Sequence, residues 1–255
     1  MTNSIADKKI VVVGGSRGLG LGMVEALVAQ GARVSVVARG SAALGEVAKR
    51  LAVDAIEGDA TDASLAERVL SRVRPDALIL NAGVTPSMGG MRELSWDSFS
   101  SVWNADVKLG FYWVQAALRL PLAPGSRVLL GSSGAAIKGA LYSGGYSGAK
   151  WMLWLMAHYA NAEAQALGLG IHFQTLVPLD LIAGTDVGHT GAQYYARQKG
   201  VSLETFWAGY GSPMSARQVG EHVATILSDP VYASGVAFGL RGATGIASLD
   251  AKDSA

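Results

Sequence analysis

The sequence predicts an α/β protein with a doubly wound parallel sheet of about seven strands and helices on both faces. Three observations support this fold class. Short β-branched runs alternate about six times with longer stretches of helical periodicity. The strand runs are continuously apolar, as expected of strands that are covered on both faces. Half of the 255 residues are hydrophobic and 16% are charged, which suits one large core and argues against disorder.

The predicted elements follow in chain order, with no internal repeat or low-complexity linker between them. The strands are Ile10–Val13, Val34–Val37, Val53–Glu57, Ala77–Leu80, Val128–Leu130, Phe173–Val177 and Gly235–Leu240. The helices are Leu19–Gln30, Ala42–Leu51, Ser64–Arg72, Trp96–Leu120, Tyr146–Leu167 and Ala216–Leu227. Residues 1–255 are therefore interpreted as a single domain. The least regular segment, about 184–213, is too long for a plain connection and is predicted to cover a substrate.

Composition excludes several classes of function. The formal net charge is +1 without a run of like charges, so no nucleic-acid or membrane partner is expected. The chain has no cysteine, which excludes disulfides and thiolate sites, and we expect no metal. Residues 1–9 lack the apolar core of a signal peptide. No apolar stretch reaches the roughly 18–20 residues of a membrane span. The expected location is cytoplasmic.

The first strand leads directly into a glycine-rich turn. Gly14-Gly15-Ser16-Arg17-Gly18-Leu19-Gly20 stands between that strand and a helix. Glycines let the backbone approach a pyrophosphate, and a helix N-terminus presents free N–H groups to the negative charge. The spacing is G-x-x-x-G-x-G, not the common G-x-G-x-x-G, and a plain tight turn is the alternative. The strand-to-helix placement favours the phosphate site.

The end of the second strand predicts which cofactor is used. In NAD sites an acidic residue usually stands here to bind the ribose hydroxyls. This strand instead ends in Ala38 and Arg39. Arg39 and Arg17 could clamp a 2′-phosphate by charge-assisted bonds, so NADP(H) is the predicted cofactor. The prediction depends on this pair alone, and two solvated surface arginines are the alternative.

Ser133, Tyr146 and Lys150 are the candidate catalytic residues. Tyr146 and Lys150 share one face at the start of a predicted helix. Ser133 follows a strand at the carboxyl edge, where open α/β sheets bind ligands. A free tyrosine has a pKa of about 10, so proton transfer at neutral pH needs a cation such as Lys150 to stabilise the phenolate. Tyrosine and lysine at this spacing are usually a packing pair, but the serine and the glycine turn favour chemistry.

Together these motifs resemble the short-chain dehydrogenase/reductase family in its compact, single-domain Rossmann-type form. The resemblance runs nearly end to end and rests on the glycine turn, Asn81-Ala82-Gly83, Ser133, and Tyr146 with Lys150. It implies a dinucleotide-dependent oxidoreductase of the carbonyl reductase or alcohol dehydrogenase type, and the arginine pair predicts that the dinucleotide is NADP(H). The implied cofactor contacts are Gly14, Ser16, Arg17, Gly18, Leu19, Gly20, Arg39, Asp59, Ala60, Asn81, Ala82, Gly83, Tyr146, Lys150, Pro178 and Leu181.

Several positions depart from the family pattern. Val13 stands where the family often has threonine, and Leu80 where it has asparagine. Both are expected to alter local hydrogen bonding more than chemistry. After the sixth strand the usual Pro-Gly is Pro178-Leu179, and Ala183 replaces a threonine. Thr185 is the candidate substitute for that threonine.

Asp106 is the sharpest departure. Aligning Gln115-Ala116-Ala117 with the family places Asp106 at the position of the catalytic asparagine, which helps to hold a proton-relay water beside the lysine. Asn104 is a poor replacement, because two residues turn it about 200° around an α-helix. A charged Asp106 near Lys150 would favour the ammonium and, if unpaired, would oppose ionisation of Tyr146. The alternative is a tolerated one-atom replacement.

The resemblance also implies partners. Compact family members are commonly tetramers packed through two long helices, here Trp96–Leu120 and Tyr146–Leu167, so a homotetramer or dimer is expected. Trp103, Trp113, Trp151 and Trp154 are either interface anchors or core residues. The candidate lid side chains are His189, Tyr194, Tyr195, Phe206, Trp207 and Tyr210. They suit a substrate with a ring or apolar body and one polar handle, or they pin the lid to the core.

Three hypotheses of function remain. The first is hydride transfer between NADP(H) and a small carbonyl or alcohol. The second is an NADP(H)-binding sensor or regulatory subunit with little or no catalysis. Asp106 and Leu179 favour it, whereas Ser133, Tyr146 and Lys150 argue against it. A dehydratase or epimerase is third, because these usually carry a larger substrate domain or additional acid-base groups. Cofactor binding without turnover on a broad carbonyl panel would favour the second.

Overall fold

The strands of the computed structural model form one sheet in the order β3-β2-β1-β4-β5-β6-β7-β8. They are β1 (Lys9–Val13), β2 (Arg33–Ala38), β3 (Asp54–Glu57), β4 (Ala77–Leu80), β5 (Arg127–Gly131), β6 (His172–Pro178), β7 (Ala237–Arg241) and β8 (Gly245–Ser248). Neighbouring strands are parallel except β7 and β8. The structure describes residues 4–40, 42–120, 122–209 and 213–250. The predicted fold class is confirmed.

Helices cover both faces of this sheet. They are α1 (Gly18–Ala29), α2 (Ala42–Leu51), α3 (Ala63–Val73), α4 (Trp96–Val102), α5 (Lys108–Arg119), α6 (Ala135–Lys138), α7 (Tyr146–Ala166), α8 (Asp186–Lys199), α9 (Leu203–Gly209) and α10 (Ala216–Ser228). A π-helical turn, Trp103–Val107, joins α4 to α5. In the described part of the chain, no helix is long and apolar enough to cross a membrane.

Alternate strand residues enter two separate cores. Val11 and Val13 of β1 pack with buried residues of α3, α5 and α7. Ile10 and Val12 pack on the other face with α1, α2 and α10. Burial on both faces explains why the strands read as continuous apolar runs instead of alternating ones.

Three parts of the chain differ from the prediction. The eighth strand was not predicted, because Gly245–Ser248 is short and carries one β-branched residue. The predicted helix Trp96–Leu120 is interrupted by the π-helical turn. The segment 184–213, predicted to be irregular, contains α8 and α9. The helix α8 was not predicted because Gly188 and Gly191 lower its helix propensity.

The four tryptophans of the long helices divide into two pairs. Trp113 and Trp154 are buried. They are therefore core residues, and an interface role is wrong for them. Trp103 and Trp151 are 38% and 43% exposed, so the two alternatives stay open there.

Candidate active site

The glycine turn between β1 and α1 fits a dinucleotide phosphate. Gly14 has a φ of +86°, and a Cβ there would lie 2.5 Å from the Cα of Ala82. A Cβ on Gly20 would lie 2.0 Å from the carbonyl oxygen of Gly14. Arg17 begins α1 in an extended conformation, and among the described residues no side chain caps the helix. The first N–H groups of α1 are therefore left for an anion, as a pyrophosphate site requires.

The predicted adenine-side residues lie at the ends of β2 and β3. The Asp59 carboxylate accepts hydrogen bonds of 2.9 Å from both the N–H and the hydroxyl of Thr61. These bonds, aided by the charges of Arg39 and Lys108, hold the pKa of Asp59 below its usual value. The family resemblance implies that Asp59 lies beside the adenine. The charge of Arg39, which is exposed, therefore acts on a carboxylate at the expected adenine end of the site.

Arg17 has different surroundings from Arg39. Its guanidinium lies 3.3 Å from the carboxylate of Asp186, at the start of α8, and both side chains are largely exposed. Arg17 therefore links the glycine turn to the segment that was predicted to be a lid. To bind a 2′-phosphate it would have to exchange this partner.

The segment after β4 lies against the glycine turn. The backbone N–H groups of Asn81 and Ala82 both donate to the carbonyl of Val13, at 3.0 and 2.8 Å. The Asn81 amide approaches the carbonyl of Gly14 at 3.5 Å. Gly83 packs on Asp106, whose carboxylate would lie 2.6 Å from a Cβ at position 83. These contacts bring Asn81-Ala82-Gly83 to the switch point between β1 and β4.

Two glycines fix the start of α7 and so position Tyr146. Gly144 has a φ of +57°, and a Cβ on Gly145 would lie 2.5 Å from the carbonyl oxygen of Phe99. The N–H of Gly145 donates to that same carbonyl at 3.1 Å. The indole of Trp103 donates to the carbonyl of Gly145, also at 3.1 Å. Because both glycines are needed for this turn, Tyr146 stands at the first position of the helix.

Lys150 lies on the same face, one turn further along α7. Its ammonium is 5.6 Å from the centroid of the Tyr146 ring and donates to the carbonyl of Gly131 at 3.3 Å. Ser132 donates to the backbone carbonyl of Lys150 at 2.8 Å, which ties the end of β5 to α7. Ser133 follows directly, and its hydroxyl oxygen accepts the N–H of Ala135 at 3.2 Å. The three candidate residues thus lie at one edge of the sheet.

Asp106 and Lys150 form a buried ion pair. The ammonium lies 2.9 Å from Oδ2 of Asp106, and the other carboxylate oxygen accepts the N–H of Val84 at 2.9 Å. Asp106 is 1% exposed and Lys150 is 8% exposed. Burial lowers the pKa of Lys150, but the charges of Asp106 and Tyr146 outweigh burial and raise that pKa above 10.5. Asn104 is exposed and lies 3.4 Å from the hydroxyl of Ser100, away from this pair.

Comparison with known proteins identifies the family. A family model described as short chain dehydrogenase matches residues 8–186, which is more than half of the chain. The chain belongs to the short-chain dehydrogenase family. The resemblance found in the sequence is thereby confirmed.

Individual relatives of this short-chain dehydrogenase are distant. The 3-oxoacyl-[acyl-carrier-protein] reductase MabA of Mycobacterium bovis is 28% identical over 64% of this chain and 60% of its own length. A cis-2,3-dihydrobiphenyl-2,3-diol dehydrogenase of Rhodococcus globerulus is 33% identical over 55% of each chain. The chain therefore matches 60% or less of the length of these curated relatives. A short chain dehydrogenase of Burkholderia cenocepacia, solved in complex with NADP, superposes with a TM-score of 0.72 at 25% identity, covering 92% of this chain and 97% of the other.

The departures from the family pattern have local structural explanations. Val13 and Leu80 are buried in the same core. Thr185 caps α8: its hydroxyl donates to the carbonyl of Ile182 at 3.0 Å and accepts the N–H of Gly188 at 3.1 Å. Ala183 donates its N–H to Met214. The Thr185 hydroxyl thus already has two partners, and its expected cofactor contact stays a prediction.

Aromatic residues connect α8 and α9 to the segment before α7. The Tyr142 ring lies 5.3 Å from the ring of Tyr194 and 5.8 Å from that of Tyr195. Tyr195 stacks on Phe206, which is buried. Tyr195 and Phe206 therefore pack α8 against α9, and the contacts with Tyr142 join this segment to the rest of the fold. Tyr210 lies outside the described residues.

Two cavities border this aromatic cluster. One, of about 480 Å³, lies between Met88 and α8. Its lining is Met88, Thr190, Gln193, Tyr194, Ala196, Arg197, Val201 and Leu203. The other, of about 530 Å³, is lined by residues 183–186, His189, Trp207 and Pro213. Tyr194 thus lines the first cavity, and Thr185, His189 and Trp207 line the second. The residues that line these two cavities do not include Ser133, Tyr146 or Lys150.

Three contributors to the site are not predictable from the sequence pattern. Ser132 and Gly131 anchor Lys150, and Tyr142 contacts the predicted lid. No spacing rule distinguishes Ser132 from its neighbour Ser133. Gly131 acts through its backbone carbonyl, which every residue has, so its identity gives no signal. Tyr142 makes its contacts across the fold, so only the tertiary structure reveals it.

Proposed function

We propose that this protein is an NADP(H)-dependent oxidoreductase that transfers a hydride between the nicotinamide and a small carbonyl or alcohol. The observation that carries the proposal is the arrangement of Tyr146 and Lys150 on one helix face, with Ser133 at the adjoining strand end. This group shares a sheet edge with the glycine turn that fits a pyrophosphate.

The chain provides a complete set of residues to hold the cofactor. The glycine turn and the first N–H groups of α1 would bind the pyrophosphate. Arg39, with Arg17 after it exchanges Asp186, would bind the 2′-phosphate. Asp59 and Ala60 would border the adenine, and Pro178 and Leu181 the nicotinamide. The solved relative from Burkholderia cenocepacia, a complex with NADP, supports this assignment. When bound, NADPH supplies the hydride, and NADP⁺ accepts it in the reverse direction.

The side chains of α7 and of the β5 end perform the proton chemistry. The Tyr146 hydroxyl donates a proton to the carbonyl oxygen in reduction and removes it from the alcohol in oxidation. The Lys150 ammonium, 5.6 Å from the Tyr146 ring, favours the phenolate that remains. The Ser133 hydroxyl would hold the substrate oxygen and restrict its position.

The substrate we propose has a ring or apolar body and one polar handle. The cavity between Met88 and α8 combines apolar side chains with Thr190, Gln193 and Arg197. A pocket of this kind binds the body by burial and orients it through a few polar groups. One relative is named as a dehydrogenase of a ring diol, which is consistent with this class.

A second candidate function has one specific observation in its favour. In the buried Asp106–Lys150 pair, the carboxylate offsets part of the lysine charge on which proton transfer depends. A protein that binds NADP(H) and performs little catalysis, such as a sensor, would tolerate that pair without cost.

Tyr146→Phe tests the proposed function. The substitution removes only the hydroxyl, so folding and NADPH binding should survive, measured by cofactor fluorescence. Turnover on the best carbonyl of a broad panel should fall by about 10²–10⁴-fold. Tyr232→Phe is the control, because Tyr232 lies in the turn after α10, with its ring against Phe238 and outside the proposed site. Near-normal turnover of Tyr146→Phe would exclude the mechanism, and cofactor binding by a wild type without turnover would favour the sensor.

A further inference from the structure

Asp106 is held more tightly than a tolerated one-atom replacement requires. The π-helical turn Trp103–Val107 carries it into the interior, where one oxygen is fixed by the Val84 N–H. The other oxygen faces the Lys150 ammonium at 2.9 Å. The lack of a side chain at Gly83 makes room for the carboxylate. Both oxygens therefore have specified partners, and the carboxylate has no room to turn away.

The ammonium of Lys150 is also fixed by specific partners. Of its three N–H donors, one is directed to Asp106 and one to the carbonyl of Gly131. The charged groups that face one another here are Asp106 from the π-helical turn and Lys150 with Tyr146 from α7. No other ion pair joins this group within the described residues. The positive charge beside Tyr146 thus has a permanent counter-charge in contact with it.

We propose that Asp106 is a positioning residue that fixes the Lys150 ammonium and cancels part of its positive field at the Tyr146 hydroxyl. As a result, removal of a proton from an alcohol by Tyr146 requires more alkaline conditions than it would with a neutral residue at position 106. This inference rests on the proposed function for Tyr146. The ion pair on which it depends can be tested without turnover.

The pH–rate profile of Asp106→Asn tests the field effect. Asparagine keeps the shape of the side chain and its ability to accept from Val84, but removes the charge. The pH at which the alcohol-oxidation rate stops rising should fall by roughly one unit, the scale of one charge a few ångströms away in a protein. An enzyme cannot move an equilibrium, so kcat/KM for reduction must change in parallel at each pH.

Asp54→Asn is the matched control for a change in net charge. Asp54 also belongs to an ion pair, with Arg72 at 2.6 Å, but that pair is exposed. The control should leave the oxidation profile unchanged. If Asp106→Asn folds, binds NADPH and keeps the wild-type profile, or shifts it to higher pH, Asp106 does not weaken the lysine field. If the role of Asp106 were purely structural, Asp106→Asn would change the stability of the fold and leave the pH–rate profile of alcohol oxidation unchanged.

A second measurement uses the wild-type protein and needs no substrate. In protein with ¹³C-labelled lysine, the Lys150 Cε resonance can be assigned by its loss in Lys150→Arg. Because the fold raises the pKa of Lys150, the midpoint of this titration should lie above pH 10.5. The stability that the ion pair contributes is accordingly present below that pH and lost above it. A midpoint for Lys150 at or below pH 10.5 would overturn the inference, whereas absent turnover with a midpoint above 10.5 would overturn only the proposed function.

Discussion

At the scale of single residues, two arginines border the expected 2′-phosphate site in different electrostatic surroundings. Arg17 already has an anionic partner in Asp186, at 3.3 Å. Within the described residues, no ion pair includes Arg39, and its charge acts on Asp59 from a greater distance. Exposed ion pairs contribute about 0–1 kcal/mol, so exchanging Asp186 for a phosphate subtracts a small part of the gain. The two arginines should therefore contribute unequally to cofactor selectivity.

We expect Arg39→Ala to lose more NADPH affinity than Arg17→Ala. A charge-assisted contact is worth roughly 1.5–3 kcal/mol, so Arg39→Ala should cost about ten- to a hundred-fold in NADPH Kd and leave NADH nearly unchanged. Asp186→Asn should strengthen NADPH binding a few-fold by releasing Arg17. Titration calorimetry with both cofactors measures this, with Arg33→Ala, which removes an exposed arginine paired to Asp7, as control. Equal wild-type affinities for NADPH and NADH would contradict the assignment.

Residue-scale predictions succeeded where the relevant spacing is local. Tyr146 and Lys150 are four residues apart on one helix, and the sequence therefore predicts their common face. The Asp106–Lys150 contact joins two helices, and its partner and burial came only from the structure. From the sequence we could infer that an unpaired Asp106 would oppose ionisation of Tyr146. That Asp106 is paired with Lys150 is visible only in the structure.

At the scale of elements, the packing of α1 on α10 determines the position of the glycine turn. A Cβ on Gly220 of α10 would lie 2.1 Å from the carbonyl oxygen of Gly22 in α1. A Cβ on Gly22 would lie 2.2 Å from the carbonyl oxygen of Ala216. The helices thus touch backbone to backbone at these glycines. Since α1 begins at the glycine turn, the position of α1 also determines where the proposed pyrophosphate site lies.

Gly220→Ala should destabilise the fold and weaken cofactor binding together. The added methyl group has no space, so the helices must separate, at a cost of about 1–3 kcal/mol or more. Gly45→Ala is the contrasting variant, because no atom lies within 4 Å of its added Cβ in α2. It should stabilise the protein by about 0.5–1 kcal/mol through helix propensity. Urea unfolding measures the change in stability of each variant, and NADPH titration measures the change in cofactor binding of Gly220→Ala. An equal change in stability for the two variants would contradict this packing.

Element-scale predictions held for strands and failed where periodicity is broken. Buried strands such as β1 and β4 were found from their apolar runs, within one residue of their observed ends. The π-helical turn adds residues to a helical repeat without changing composition, so no sequence pattern reveals it. The helix α8 is stabilised by the Thr185 cap and by its contacts with α9, which offset its two glycines.

At the scale of the whole molecule, α5 and α7 expose large apolar side chains to solvent. Phe111 on α5 is 50% exposed, and Trp151 and Tyr159 on α7 are 43% and 60% exposed. Large apolar residues of this kind mark interaction surfaces when they occur together on neighbouring elements. We therefore retain the proposal, first drawn from the family resemblance, that copies of this chain associate through α5 and α7.

Phe111→Lys should dissociate the assembly. Sedimentation equilibrium of the wild type should give a dimer or tetramer of the 26.4 kDa chain. A lysine at position 111 would place a charge in a desolvated contact, which costs far more than a charge in water. Val231→Lys is the control: Val231 is 70% exposed in the turn after α10, on neither of these helices. It should leave the mass unchanged. A monomeric wild type at micromolar concentration, or equal masses for the wild type and both variants, would show that α5 and α7 do not form the interface.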